Sequence, residues 1–139
     1  MVKGIREERE LVNLLDRLGF AVLRAPASGS KTRLDRPDIL AGRKGFIIAL
    51  EVKSTSKRIL YVRGESMVQL KSFSERFGAK PFLAVKFKYT RKGWLLLDAE
   101  KIELKGKSFR LSLEEALRKG LTPEALITKN LKTILNSNA

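Results

Sequence analysis

Apolar and polar positions follow two rhythms along this chain, one helical and one extended. Leu11, Val12, Leu15 and Leu18 recur at helical spacing, predicting a helix over Ile5 to Leu18 that Gly19 ends. Phe20 to Arg24 reads as a short strand. Residues 25–37 (APASGSKTRLDRP) are turn-forming and basic without a period, hence a loop. Ile39 to Ala41 and Phe46 to Lys53 flank Gly42-Arg43-Lys44-Gly45, which signals a hairpin. Ile59 to Val62, Pro81 to Lys88 and Trp94 to Asp98 predict further strands. Ser66 is placed to cap a helix running to Phe77, with Gln69 three residues on as in a capping box. A short helix over Leu113 to Arg118 follows, and then, from Thr122, a helical appendage or a frayed tail. No repeat divides the sequence, so residues 1–139 read as one domain, with 119–139 as the appendage or tail.

The hairpin makes a geometric prediction. If Gly42 faces Gly45, then Leu40 faces Ile47, Ile39 faces Ile48 and Asp38 faces Ala49. Cross-strand partners share a face, as do residues two apart on one strand. Asp38, Glu51 and Lys53 then lie on one face, and Ile39, Ile48, Leu50 and Val52 pack toward the core on the other. Asp38 and Glu51 become diagonal neighbours, about 7–8 Å apart at Cα. A slip of one residue would send Asp38 to the opposite face.

Glu8 breaks the pattern of the first helix. The apolar stripe runs Ile5, position 8, Leu11, Val12, Leu15 and Leu18, so a carboxylate stands where an apolar residue is expected. That is costly unless the charge is paired or binds a cation. Two readings stand: a metal ligand, or an edge residue in a plain ion pair with Arg24 or Lys53. Glu51 and Lys53 likewise read either as a site or as a same-face ion pair.

Charge changes the picture next. Lys and Arg number 29 against 15 Asp and Glu, a net charge of +14, so a polyanionic partner is the natural reading. The basic residues are spread over several segments, which favours nucleic acid over a membrane surface. The 139 residues hold no His and no Cys, which excludes an imidazole base, a thiolate nucleophile and ordinary structural zinc. Catalysis is left to carboxylates, lysine, hydroxyls and a hard metal ion. Oxygen ligands from Asp and Glu suit Mg²⁺, with Mn²⁺ as a substitute. No apolar run approaches the ~20 residues of a bilayer span. With no signal-peptide pattern at the start of the sequence, a cytoplasmic, nucleoid-associated protein is expected.

At this point the motif carries a resemblance. Pro37-Asp38, twelve residues, then Glu51-Val52-Lys53 resembles the PD…(D/E)xK signature of the restriction-endonuclease-like superfamily. Glu8-Arg9-Glu10-Leu11, the segment from Gly19 to Ser30, Pro37 to Ala41, Leu60-Tyr61-Val62 and Phe73 to Gly78 followed by Leu83 to Phe87 resemble the archaeal Holliday junction resolvases. The resemblance covers roughly residues 3–98. It implies an α/β restriction-endonuclease-like core, a central mixed β-sheet flanked by helices. It also implies a homodimeric, Mg²⁺-dependent enzyme that cuts a four-way DNA junction symmetrically. By the same resemblance Glu8, Asp38 and Glu51 would bind the metal, Lys53 would assist catalysis, and Arg9 and Arg24 would be needed for activity. A loop serine would also contribute, Ser28 first and Ser30 second.

Around these residues lie further candidates. Lys31, Arg33 and Arg36 in the loop are suited to phosphate contact, as are Lys57, Arg58 and Arg63 around a predicted edge strand. Either group also reads as a solvated face. Phe73 and Phe77 read as core residues or as part of a twofold interface. Two other functions fit the residues: a restriction-like or repair nuclease on duplex or branched DNA, and a non-catalytic basic DNA-binding protein.

Overall fold

The computed structural model describes residues 4–25, 36–104 and 106–137. Helix α1 (Ile5–Arg17) leads into β1 (Ala21–Arg24), β2 (Ile39–Arg43) and β3 (Phe46–Thr55). Then come β4 (Ile59–Arg63), α2 (Gly64–Phe77), β5 (Lys80–Phe87), β6 (Trp94–Asp98) and a single 3-10 turn at Ala99–Lys101. Strand β7 (Ser108–Ser112), α3 (Leu113–Lys119) and α4 (Pro123–Ser137) complete the chain. Gly19, at φ 95°, takes the left-handed turn out of α1. Arg43 Nε closes that corner by donating to the Leu18 carbonyl at 3.1 Å.

A five-stranded sheet, in the order β1-β2-β3-β5-β6, forms the centre. It is antiparallel except between β3 and β5, which pair in parallel from Ile48↔Lys80 to Thr55↔Phe87. A parallel pair needs a long crossover, and β4 with α2 supplies it. Alternation along the strands divides two apolar layers. On one face Ile39, Ile48, Leu50, Phe82, Ala84 and Leu96 pack under Leu11 and Leu15 of α1 and Leu126 of α4. On the other, Ala49, Leu83 and Val85 meet Met67 and Leu70 of α2 and Leu60, Val62 and Leu111 of a separate two-stranded β4–β7 sheet. Each buried leucine contributes about 2 kcal/mol by leaving water. The expected mixed sheet flanked by helices is therefore present.

Several expectations need correction. The chain reverses at Lys44-Gly45, both with positive φ (50° and 83°), the type I′ turn that suits strand twist. Arg43 therefore pairs with Phe46, Leu40 with Ala49 and Ile39 with Leu50, not Gly42 with Gly45 and Ile39 with Ile48. The difference is two residues, an even number, so each side chain keeps its expected face. Ser66 does not cap α2. Strand β4 runs straight into the helix from Arg63, and Gly64 N–H is instead bound by the Lys107 carbonyl at 2.7 Å. The Ile59 strand belongs to the small sheet and not the main one, paired with β7, a strand whose polar alternation gave no expectation. The tail is helical: Leu126 is buried in the core, whereas Leu131 and Leu135 face solvent. No helix among the described residues is long and apolar enough to cross a membrane.

Candidate active site

Pro37 explains where the β2–β3 ladder stops. It has no N–H to donate, and regular pairing with β3 ends at Ile39↔Leu50. Asp38, next to it, is fixed by three bonds. Its carbonyl accepts from Ala25 N at 2.9 Å, its N–H donates to Leu50 O at 2.9 Å, and its Oδ2 accepts from Val52 N at 2.8 Å. Glu51 lies between those two β3 residues. Glu51 and Lys53 share the sheet face of their parallel partners Leu83 and Val85, beyond the part that α2 covers.

The electrostatics report one crowded site. Burial, reinforced by the Asp38 carboxylate, pushes Glu51 up to about 7, while Lys53 opposes the shift. Lys53 Nζ stands 3.3 Å from Glu51 Oε2. Burial and then the Asp38 charge also raise Glu8, with Arg24 and Lys53 acting the other way. Arg24 Nη1 is 3.5 Å from Glu8 Oε1, a close ion pair whose geometry falls short of a hydrogen bond. Both ion-pair readings of these residues are thus present. Among the described residues the carboxylates do not close into a three-ligand ring, since Glu8 is turned to Arg24. Even so, Glu8 and Glu51, each raised first by burial and then by the Asp38 charge, form with Asp38 an oxygen donor set that suits a hard divalent cation.

Two anchors of α1 gave no signal in the sequence. Glu7 Oε1 meets Lys88 Nζ at 2.9 Å, which holds the Glu7 carboxyl below its usual range. Glu10 Oε1 pairs with Lys86 and accepts from Trp94 Nε1 at 3.2 Å. These contacts fix the rotation of the turn that bears Glu8. The acidic first turn also suits the positive end of the helix dipole, so Glu7 passes for an ordinary helix-start residue.

The remaining candidates are dispersed. Arg9 and Arg36 are exposed. Lys57 and Arg63 are exposed at either end of β4, while Arg58 is engaged within the chain by Glu114 at 3.5 Å and by the Tyr89 ring at 5.8 Å. Phe73 and Phe77 stack at 5.3 Å, Phe73 half-buried and Phe77 half-exposed. Ser28, Ser30, Lys31 and Arg33 lie outside the described residues.

A mixed sheet with an Asp at the edge of the ladder and Glu-Val-Lys on its central strand defines the restriction-endonuclease-like class. The family model for archaeal Holliday junction resolvase matches residues 1–134. The chain belongs to that family. The crossover junction endodeoxyribonuclease Hjc of Methanocaldococcus jannaschii is 48% identical over 85 residues, covering 61% of this chain and 59% of that protein. The chain thus matches about three fifths of the length of that relative. Hjc of Archaeoglobus fulgidus is 35% identical over 109 residues, 78% of each chain. The solved structure of A. fulgidus Hjc, a Holliday junction resolvase, superposes with a TM-score of 0.79 at 31% identity, covering 89% of this chain and 98% of that one.

Proposed function

We propose that this chain is a crossover-junction endodeoxyribonuclease that cuts four-way DNA junctions by Mg²⁺-dependent paired phosphodiester hydrolysis. The observation that carries the reading is Asp38 bonded around Glu51, with Lys53 on the same face. Glu8, Asp38 and Glu51 would hold the ion, Mg²⁺ or Mn²⁺. When bound, it supplies a coordinated water of lowered pKa and offsets charge on a phosphoryl oxygen. Lys53 would orient the attacking water and stabilise charge developing on the phosphate. Arg24, released from Glu8, would meet the scissile phosphate, and Arg9, Arg36, Lys57, Arg58 and Arg63 would meet phosphates farther along the backbone. Ser28 would contribute to catalysis, and Ser30, Lys31 and Arg33 to DNA binding.

Two symmetric cuts call for two sites at fixed separation, hence a homodimer. Exposed Leu23 and Phe77, with Phe73 and Leu40 lining a shallow groove next to Arg24 and Arg36, support an interface beside the site. A DNA-processing role also places the protein with the nucleoid.

The test is cleavage of a synthetic four-way junction, with cut sites mapped on all four strands. Paired symmetric nicks that require Mg²⁺ are expected. Preference for linear duplex of the same sequence would sink the junction reading, and metal-independent cutting would sink the metal site.

A further inference from the structure

The β4–β7 ribbon packs on the same sheet face that carries Glu51 and Lys53. Its inward residues Leu60, Val62 and Leu111 join Leu83 and Val85, the parallel partners of those two residues. Only Ser56, Lys57 and Arg58 separate β3 from β4, so the ribbon begins within about 14 Å of the end of the catalytic strand. Its outward positions are Ile59, Tyr61 and Arg63, opposite Ser112, Arg110 and Ser108. None of the six is acidic. Tyr61 is 64% exposed and sits directly across from Arg110. Neither Arg63 nor Arg110 forms an ion pair among the described residues.

An exposed aromatic between unpaired arginines is suited to a nucleic-acid strand: the guanidinium groups meet phosphates and the ring meets a base face. In continuous duplex every base face is covered by its neighbours. At a branch point the stacking is interrupted, and a base pair presents a free face. We propose that the β4–β7 ribbon is the branch-sensing part of the DNA surface, with Tyr61 stacking on an exposed base at the junction centre. Arg63 and Arg110 hold the flanking phosphates. This assignment rests on the junction reading above.

The full-length protein is titrated with a four-way junction and with linear duplex of the same arm sequence, using Ca²⁺ to prevent cutting. Each junction carries 2-aminopurine at the branch point. Wild-type preference for the junction tests the junction reading, and the ratio of variant to wild type tests the ribbon. Tyr61→Ala should weaken junction binding roughly 5- to 100-fold, leave duplex binding unchanged and lose the 2-aminopurine quenching. Tyr61→Phe should match wild type, since the ring and not the hydroxyl acts. Arg110→Ala should weaken both substrates alike and lower the salt dependence of binding. The proposal is overturned if Tyr61→Ala leaves junction binding intact or weakens both substrates equally. It is also overturned if Tyr61→Phe loses as much as Tyr61→Ala, or if Tyr61→Ala changes the elution volume of the oligomer. A wild type with no junction preference removes the underlying reading and the ribbon's role together.

Discussion

Asp38 holds β3 on both sides of Glu51, through its N–H to Leu50 O at 2.9 Å and its Oδ2 to Val52 N at 2.8 Å. One residue is therefore both a hydrogen-bonded fixture of the backbone and a source of charge. Those roles separate by substitution. Asp38→Asn keeps an acceptor for Val52 N–H and removes the charge beside Glu51, so the melting temperature should hold or rise. Junction cleavage should fall at least about 100-fold, because a neutral amide holds a divalent cation far less tightly than a carboxylate does. Asp38→Ala loses the acceptor as well and should cost about 1 kcal/mol more. Thermal melts beside single-turnover cleavage check this; an active Asp38→Asn protein would remove Asp38 from the metal site.

The raised Glu51 makes stability depend on pH in a defined direction. In metal-free protein the folded state keeps the Glu51 proton up to about pH 7, whereas the unfolded chain releases it near the ordinary 4.5. The folded state binds more protons in that window, so this group's contribution falls as pH rises through it and levels off above 7. The full effect is about 3 kcal/mol at most. Urea unfolding at pH 5 and pH 8 should show wild type losing stability relative to Glu51→Gln. Glu8, shifted in the same direction, leaves a smaller slope in the variant. Wild type gaining stability relative to Glu51→Gln as pH rises would contradict the burial of Glu51. Mn²⁺ binding followed by calorimetry below pH 7 should release protons, and less so in Glu51→Gln.

Helix α1 is set by its anchors. Removing both carboxylates in Glu7→Ala/Glu10→Ala frees Lys88, Lys86 and the Trp94 N–H, and lets the Glu8 turn shift. The turnover number should fall roughly 10- to 100-fold with KM for the junction little changed, since DNA contacts remain and positioning does not. Glu10→Gln, which keeps an acceptor for Trp94, should recover most of that loss relative to Glu10→Ala. Unchanged turnover in the double variant would show that Glu8 is held without them.

Gly120 marks a tight backbone approach between α3 and α4. A Cβ there would lie 2.6 Å from the Ala116 carbonyl and 3.2 Å from Leu95 Cβ. Gly120→Ala should therefore cost about 1–3 kcal/mol by chemical denaturation. Cleavage per folded molecule should be unaffected, because the strain falls at the far edge of the sheet. A variant as stable as wild type would mean the turn relaxes freely.

The site was legible where it depended on parity and not where it depended on position. Side-chain alternation put Asp38, Glu51 and Lys53 on one face, and this survived a two-residue error in register because the period of a strand is two. The exact pairing turned on which residues of Arg43-Lys44-Gly45 form the turn, a choice the flanking glycines left open. Glu8 was legible as an anomaly on an apolar stripe, but its present partner, Arg24, was one of two candidates. Strand β7 alternates from Ser108 to Ser112 but is too short to stand out, and the Glu10–Lys86–Trp94 anchor joins distant segments whose polar residues carry no period, so neither was legible.

The single parallel pairing in the sheet also orders events in time. Asp38 and Glu51 belong to a hairpin closed by a two-residue turn, whereas β3 and β5 join residues 32 apart, as in Ile48 with Lys80. Local closure is fast and long-range closure slow. The two carboxylates should therefore meet while still open to water, at little electrostatic penalty. Dehydration of Glu51 comes later, when the β4–α2 crossover docks β5 alongside. In metal-free protein that late step favours a protonated Glu51, so refolding should slow as pH rises from about 4.5 toward 7 and level off above it.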